Sequence, residues 1–182
     1  MNENRLGCLK TLLIVIVTVV VFGGIFGSCG NNSRRANSYS SSARATARST
    51  ATEKPTQPST EQFGDDAETI AGEIKASLGE NYKFSWFASG YKFSFTAKTT
   101  EISGDDLAVL YGSAPAYAQS LIDELNESMQ DANKSTLDRF RALGYRDCTV
   151  IFTLSASDGM EICTVENGKI THKITQENFK FG

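Results

Sequence analysis

A single histidine, His172, stands in the 182 residues, so a Ser-His-Asp arrangement or a histidine-rich metal site must be built around it or abandoned. The turn signals Asp158-Gly159 and Asn167-Gly168 set a register in which residue 154 faces 163 and 163 faces 172. Cys163 and His172 then become cross-strand neighbours with Cβ atoms about 5 Å apart. That pair has the composition of a thiolate–imidazolium nucleophile. The same face also carries Val150, Phe152, Leu154, Val165, Ile170 and Ile174. The reading adopted is a small buried thiol beside a histidine at the edge of the core, with a thiol enzyme using Cys163 and His172 as the alternative. Cys148 lies six residues from the partner of Cys163, about 20 Å along the strand, whereas a disulfide needs Cα atoms within about 7 Å. Two unbridged thiols suit a cytoplasmic location, or export by an organism that does not rely on disulfides.

Other groups with chemical potential are scattered. Asp105-Asp106 sits at a helix start, where the macrodipole accounts for it, and Asp123-Glu124 and Glu127 fall on a solvated helix face. Ser155-Ala156-Ser157-Asp158-Gly159 offers one carboxylate where a calcium loop needs several, so no metal and no cofactor is expected. GxGxxG, Walker A, HExxH, CxxC and GxSxG patterns are absent. Trp86, Phe87, Tyr91 and Phe93 would line a ligand groove if part of a sheet were left bare, and otherwise form core.

The elements that position these residues follow from periodicity. Ile70, Ile74 and Leu78 predict a helix over 65–78, stopped at Gly79. From Tyr82 the period becomes two: Tyr82, Phe84, Trp86 and Ala88, then Tyr91, Phe93, Phe95 and Ala97. A turn at Ser89-Gly90 pairs 88 with 91, 86 with 93 and 84 with 95, placing aromatics on one face of a hairpin and lysines on the other. Leu107 and Leu110, then Tyr117, Leu121, Leu125 and Met129, mark helices over about 105–143, broken near Gly112-Ser113 ahead of Pro115. Ser135 to Asp138 reads as a capping box opening a further short helix that ends at Gly144. Strands over 148–154, 161–166 and 169–175 close the chain as an antiparallel meander. The class is α+β: helix, β-hairpin, helices and three-stranded meander in a two-layer sandwich, with one antiparallel sheet and helices on its aromatic face.

Charge divides the chain in three. Residues 1–30 carry a net +1, residues 31–62 a net +3, and residues 63–182, with 11 basic and 18 acidic groups, a net −7. A domain this acidic argues against a nucleic-acid partner, which needs clustered Lys and Arg. Thr11 to Gly27 is an uncharged, nearly continuous aliphatic run, long enough at roughly 26 Å to approach a bilayer core and longer than most secretory signals. Residues 31–62, with seven Ser, five Thr, five Ala and Tyr39 as the one large apolar-bodied residue, cannot offset their ordering entropy. They predict a disordered linker reaching roughly 30 Å. Three units result: a membrane or signal segment (1–30), a linker (31–62) and an α+β domain (63–182).

The run ends in Ile25-Phe26-Gly27-Ser28-Cys29-Gly30-Asn31-Asn32, which resembles a bacterial lipobox. Gly27 and Ser28 suit the positions before the lipidated cysteine, although Phe26 replaces the usual aliphatic residue. That resemblance makes Cys29 the expected lipidation site. An uncleaved single span is the alternative, and for it Arg34, Arg35, Arg44 and Arg48 outnumber Arg5 and Lys10, favouring a cytoplasmic domain. Cys8, just before the run, is read as a chance cysteine. The helical LDRFRALGYRD followed by CTVIFTLSASDGMEICTVENG is similar to a family of small Gram-positive lipoproteins with a C-terminal domain of unassigned function. The similarity covers roughly residues 82–170, lies in turn and core positions, and implies no catalytic residues. The expectation is a non-enzymatic envelope protein held at the cell membrane through residues 1–30 in contact with lipid. Its domain would be extracellular and act as a binding or protein-interaction module, the alternative being a single-span protein with a cytoplasmic regulatory domain.

Overall fold

A computed structural model describes residues 57–179. The apolar run, Cys29 and most of the linker lie outside the described residues; within them, no helix is long and apolar enough to cross a membrane.

Helix α1 spans Thr60–Ser77 and is capped by Ser59, whose hydroxyl accepts from the Gln62 N–H at 3.2 Å. It starts five residues before the expected Asp65 because Phe63 is a core residue, fully buried and stacked on Phe140 with ring centroids 4.8 Å apart. With Ala67, Ile70 and Ala71 it forms one buried stripe. Burying that ring outweighs the cost of about 1 kcal/mol for Gly64 inside a helix.

Strands β1 (Tyr82–Ser89) and β2 (Lys92–Thr99) form the expected hairpin, but Ser89 faces Lys92 and Trp86 faces Phe95. The turn is therefore Gly90-Tyr91, with Gly90 at φ +59°, the glycine-first pattern of a tight hairpin. The shift in register is two, so every side chain keeps its expected face.

Helix α2 (Gly104–Ser113) opens with a capping box between Ser103 and Asp106. The chain breaks at Ala114, and α3 (Pro115–Ala142) begins with the proline in its first turn, as its missing N–H favours. No new helix opens at Ser135. Helix α3 runs through it because Asn133, Thr136, Leu137 and Phe140 continue the buried stripe, and tertiary packing overrides the local cap signal.

Strands β3 (Thr149–Ser155), β4 (Glu161–Glu166) and β5 (Lys169–Lys173) form the antiparallel meander. The five strands lie in sequence order, but β2 and β3 run parallel, so the sheet is mixed and not wholly antiparallel. The cause is the crossover. Helix α3, 28 residues and roughly 42 Å long, returns the chain to the starting end of β2, and β3 then runs the same way. Phe93, Phe95, Ala97, Val150, Phe152, Leu154, Cys163 and Val165 form the buried face beneath the helices. The opposite face is mostly Lys, Ser and Thr, with Phe87 and Ile151 among them, and no helix among the described residues packs on it.

Candidate functional site

Cys163 and His172 are not a pair. Asn167-Gly168 makes the expected turn, both residues at positive φ, and Val165 pairs with Ile170. A bulge then leaves Thr171 unpaired, its hydroxyl donating to the Thr164 carbonyl at 3.2 Å, so that Thr164 faces His172 and Cys163 faces Lys173. One extra residue moves His172 to the bare face of the sheet. Cys163 stays fully buried opposite Leu154, and burial, reinforced by Glu161, pushes its thiol up to about 12. A thiol held protonated is a weak nucleophile, and the imidazole stands on the other face of the sheet. Cys148 is likewise buried and unbridged, its thiol raised mainly by burial. The sequence carries one sign of the irregularity: a histidine two residues from both Ile170, which is 36% exposed, and the buried Ile174 interrupts the apolar alternation.

On the bare face the register lines up Ser85, Thr96, Thr153, Thr164 and His172 across all five strands. The hydroxyls of Thr153 and Thr164 are 3.1 Å apart, and Thr164 donates to the Glu161 carboxylate. The His172 ring lies 3.4 Å from the Glu161 carbonyl oxygen. The Thr153–Thr164 and His172–Glu161 contacts run between strands and the Thr164–Glu161 contact runs along β4, all as polar contacts of a solvated face. Among the described residues no group of three or more His, Cys, Asp or Glu side chains could hold a metal ion.

The four aromatics of the expected groove part company. Phe93 is fully buried, and Tyr91 is half-buried and donates its hydroxyl to the Pro58 carbonyl at 2.8 Å. Trp86 and Phe87 remain, 40% and 62% exposed on opposite faces of β1. Strand β1 is an edge of the sheet, eight residues long and paired without a bulge, and its stretch Phe84–Ser89 carries no charge. The other edge, β5, is shorter, bulged and flanked by Lys169 and Lys173. Lysines and bulges are the usual protection of a sheet edge; β5 has both, and β1 has only Lys83 near its start.

The segment leading into the domain is fixed at one end of the sheet. Gln57 accepts backbone N–H groups of Arg146 and Asp147 at 3.2 and 3.4 Å. Pro58 lies beneath Tyr91, and Phe63, Phe140 and Tyr145 pack as an aromatic cluster behind it. Tyr145 is fully buried and donates to Asp66 at 2.6 Å. The chain thus enters beside the β1–β2 turn and the start of β3, at the end of the sheet that also carries the β4–β5 turn.

No family model matches the chain, and neither a curated protein nor a solved structure matches it at a significant level.

Proposed function

We propose that this protein is a membrane-anchored, non-enzymatic envelope protein, lipidated at Cys29, whose α+β domain binds an extended segment of a protein partner along β1. The observation that carries the reading is the unprotected β1 edge. Its free backbone N–H and C=O groups supply hydrogen bonds to an added strand, while Trp86 on one face and Phe87 on the other supply apolar contact to alternate side chains. Anchoring rests on the uncharged run Thr11 to Gly27, on the lipobox-like residues up to Cys29, and on the resemblance to small Gram-positive lipoproteins. An extracellular domain goes with a lipid anchor. A single span with a cytoplasmic regulatory domain is the second reading, favoured by the four arginines that follow the run.

The test is a photo-crosslinking amino acid placed at Phe87, with a control at Val109, also exposed but on α2. In membranes of the native host the position-87 probe is expected to give a discrete protein adduct that the position-109 probe does not. Equal labelling from both positions, or none from 87, contradicts β1 as the binding edge.

A further inference from the structure

The two ends of the sheet differ in charge. The end far from the incoming chain is formed by residues 79–81, 100–106, 156–161 and 174–179, which hold seven acids and no Lys or Arg, with Lys98 reaching the Gly159 turn as a neighbouring cation. The end where the chain enters is formed by residues 57–59, 89–92, 143–149 and 166–169. These hold Lys92, Arg146 and Lys169 against Asp147 and Glu166. Lys134 packs beside the Gly168 turn and adds a fourth cation, and Asp66, bound to Tyr145, adds a third acid. None of the four makes an ion pair among the described residues, whereas the nearby Arg139 and Arg141 are paired with Glu73 and Asp138. Leu143, 48% exposed, projects at the same end, beside the Gly144–Pro58 contact. The sequence leading into this end, residues 31–56, carries five cations and one acid.

We infer that the domain docks by this end on an anionic phospholipid surface, with Lys92, Lys134, Arg146 and Lys169 toward the headgroups, Leu143 at the interface and the acidic end pointing away. The inference rests on the anchored reading but not on which side of the membrane the domain occupies. Two observations select lipid as the occupant. The chain that would lead to the membrane enters at this end, with an expected reach of about 30 Å. The charge is also complementary: each Lys or Arg near an anionic surface strengthens binding severalfold, and the seven acids repel the opposite orientation.

The experiment uses the full chain reconstituted into vesicles that carry a dansyl-labelled headgroup. Trp86, the one tryptophan, is removed as Trp86→Phe, and a reporter is introduced as Leu143→Trp or, on α2, the helix that starts at the acidic end, as Val109→Trp. Flotation with the vesicles comes first; a chain that does not float overturns the anchoring and the docking with it. With phosphatidylglycerol, energy transfer from the Leu143→Trp reporter is expected to exceed that from Val109→Trp severalfold. The excess should vanish in phosphatidylcholine, in 0.5 M salt, where screening is short-ranged, and in the triple variant Lys92→Glu, Arg146→Glu, Lys169→Glu. A chain that floats but gives equal transfer from the two reporters, or the same excess in neutral lipid, overturns docking and leaves anchoring intact.

Discussion

Asn133 and Asn126 lie two turns apart on α3, both buried, and are placed in opposite circumstances. Asn133 donates to the carbonyls of Val150 and Val165, each at 3.1 Å, and accepts the Gly168 N–H at 2.7 Å, so it ties α3 to β3, β4 and the β4–β5 turn. Asn126, 2% exposed, has no partner for either amide atom among the described residues. Replacing a satisfied buried amide strands its partners, whereas replacing an unsatisfied one removes a penalty. Asn133→Leu is therefore expected to cost about 3 kcal/mol and Asn126→Leu to be neutral or stabilising by about 1 kcal/mol, read from chemical denaturation. The cysteines give a second residue-scale prediction. Cys163, fully buried with its thiol pushed up to about 12, should alkylate in the native protein only as fast as the domain opens. Fast modification at neutral pH would show an activated thiolate and favour the thiol-enzyme alternative.

At the scale of elements, the joint between α2 and the β3–β4 turn carries a pH dependence. Asp158 accepts the Gly104 N–H at 2.8 Å and the Met160 N–H at 3.0 Å, and these bonds hold its carboxyl below the usual range. A Cβ at Gly104 would meet that carboxylate at 2.8 Å and the Met160 side chain at 3.0 Å, so a larger residue there would push both side chains aside. Because the folded pKa is depressed, the contribution is present above the ordinary carboxyl value near 4 and is lost as pH falls through the lower folded value. Asp158→Asn should flatten the acid limb of the stability profile below about pH 4 and leave the pH dependence near neutrality unchanged. The same elements show what periodicity can and cannot reveal. Alternation at Tyr82–Ala97 and the meander at Cys148–Thr175 were legible because one face must be buried. The Pro115 break was legible because proline cannot donate. The parallel β2–β3 pairing was not, since it depends on which end of the sheet α3 reaches. Nor was the fate of Ser135, where a cap signal loses to Leu137 and Phe140. The two aromatics of the candidate edge were visible as Trp86 and Phe87, but their exposure depends on how α1 lies over β1, where Lys75 covers Phe84 and Trp86 stays 40% exposed.

On the scale of the whole molecule, charge is sorted by layer as well as by end. The three helices hold twelve acids against four bases, while the five strands hold five lysines against two glutamates. The acidic helix layer keeps the domain soluble and away from anionic surfaces, leaving the chain-entry end and the β1 edge as the surfaces free to meet lipid and partner. Both roles presuppose a domain held at a membrane. The most direct measurement is the intact mass of the protein extracted from membranes of its native host. The account predicts a chain that begins at a diacylated Cys29. A mass retaining Met1 would replace the lipid anchor with the uncleaved span and turn the four arginines after it into the best evidence for a cytoplasmic domain. Recovery from the soluble fraction, with a mass that begins after Cys29, would contradict membrane anchoring outright.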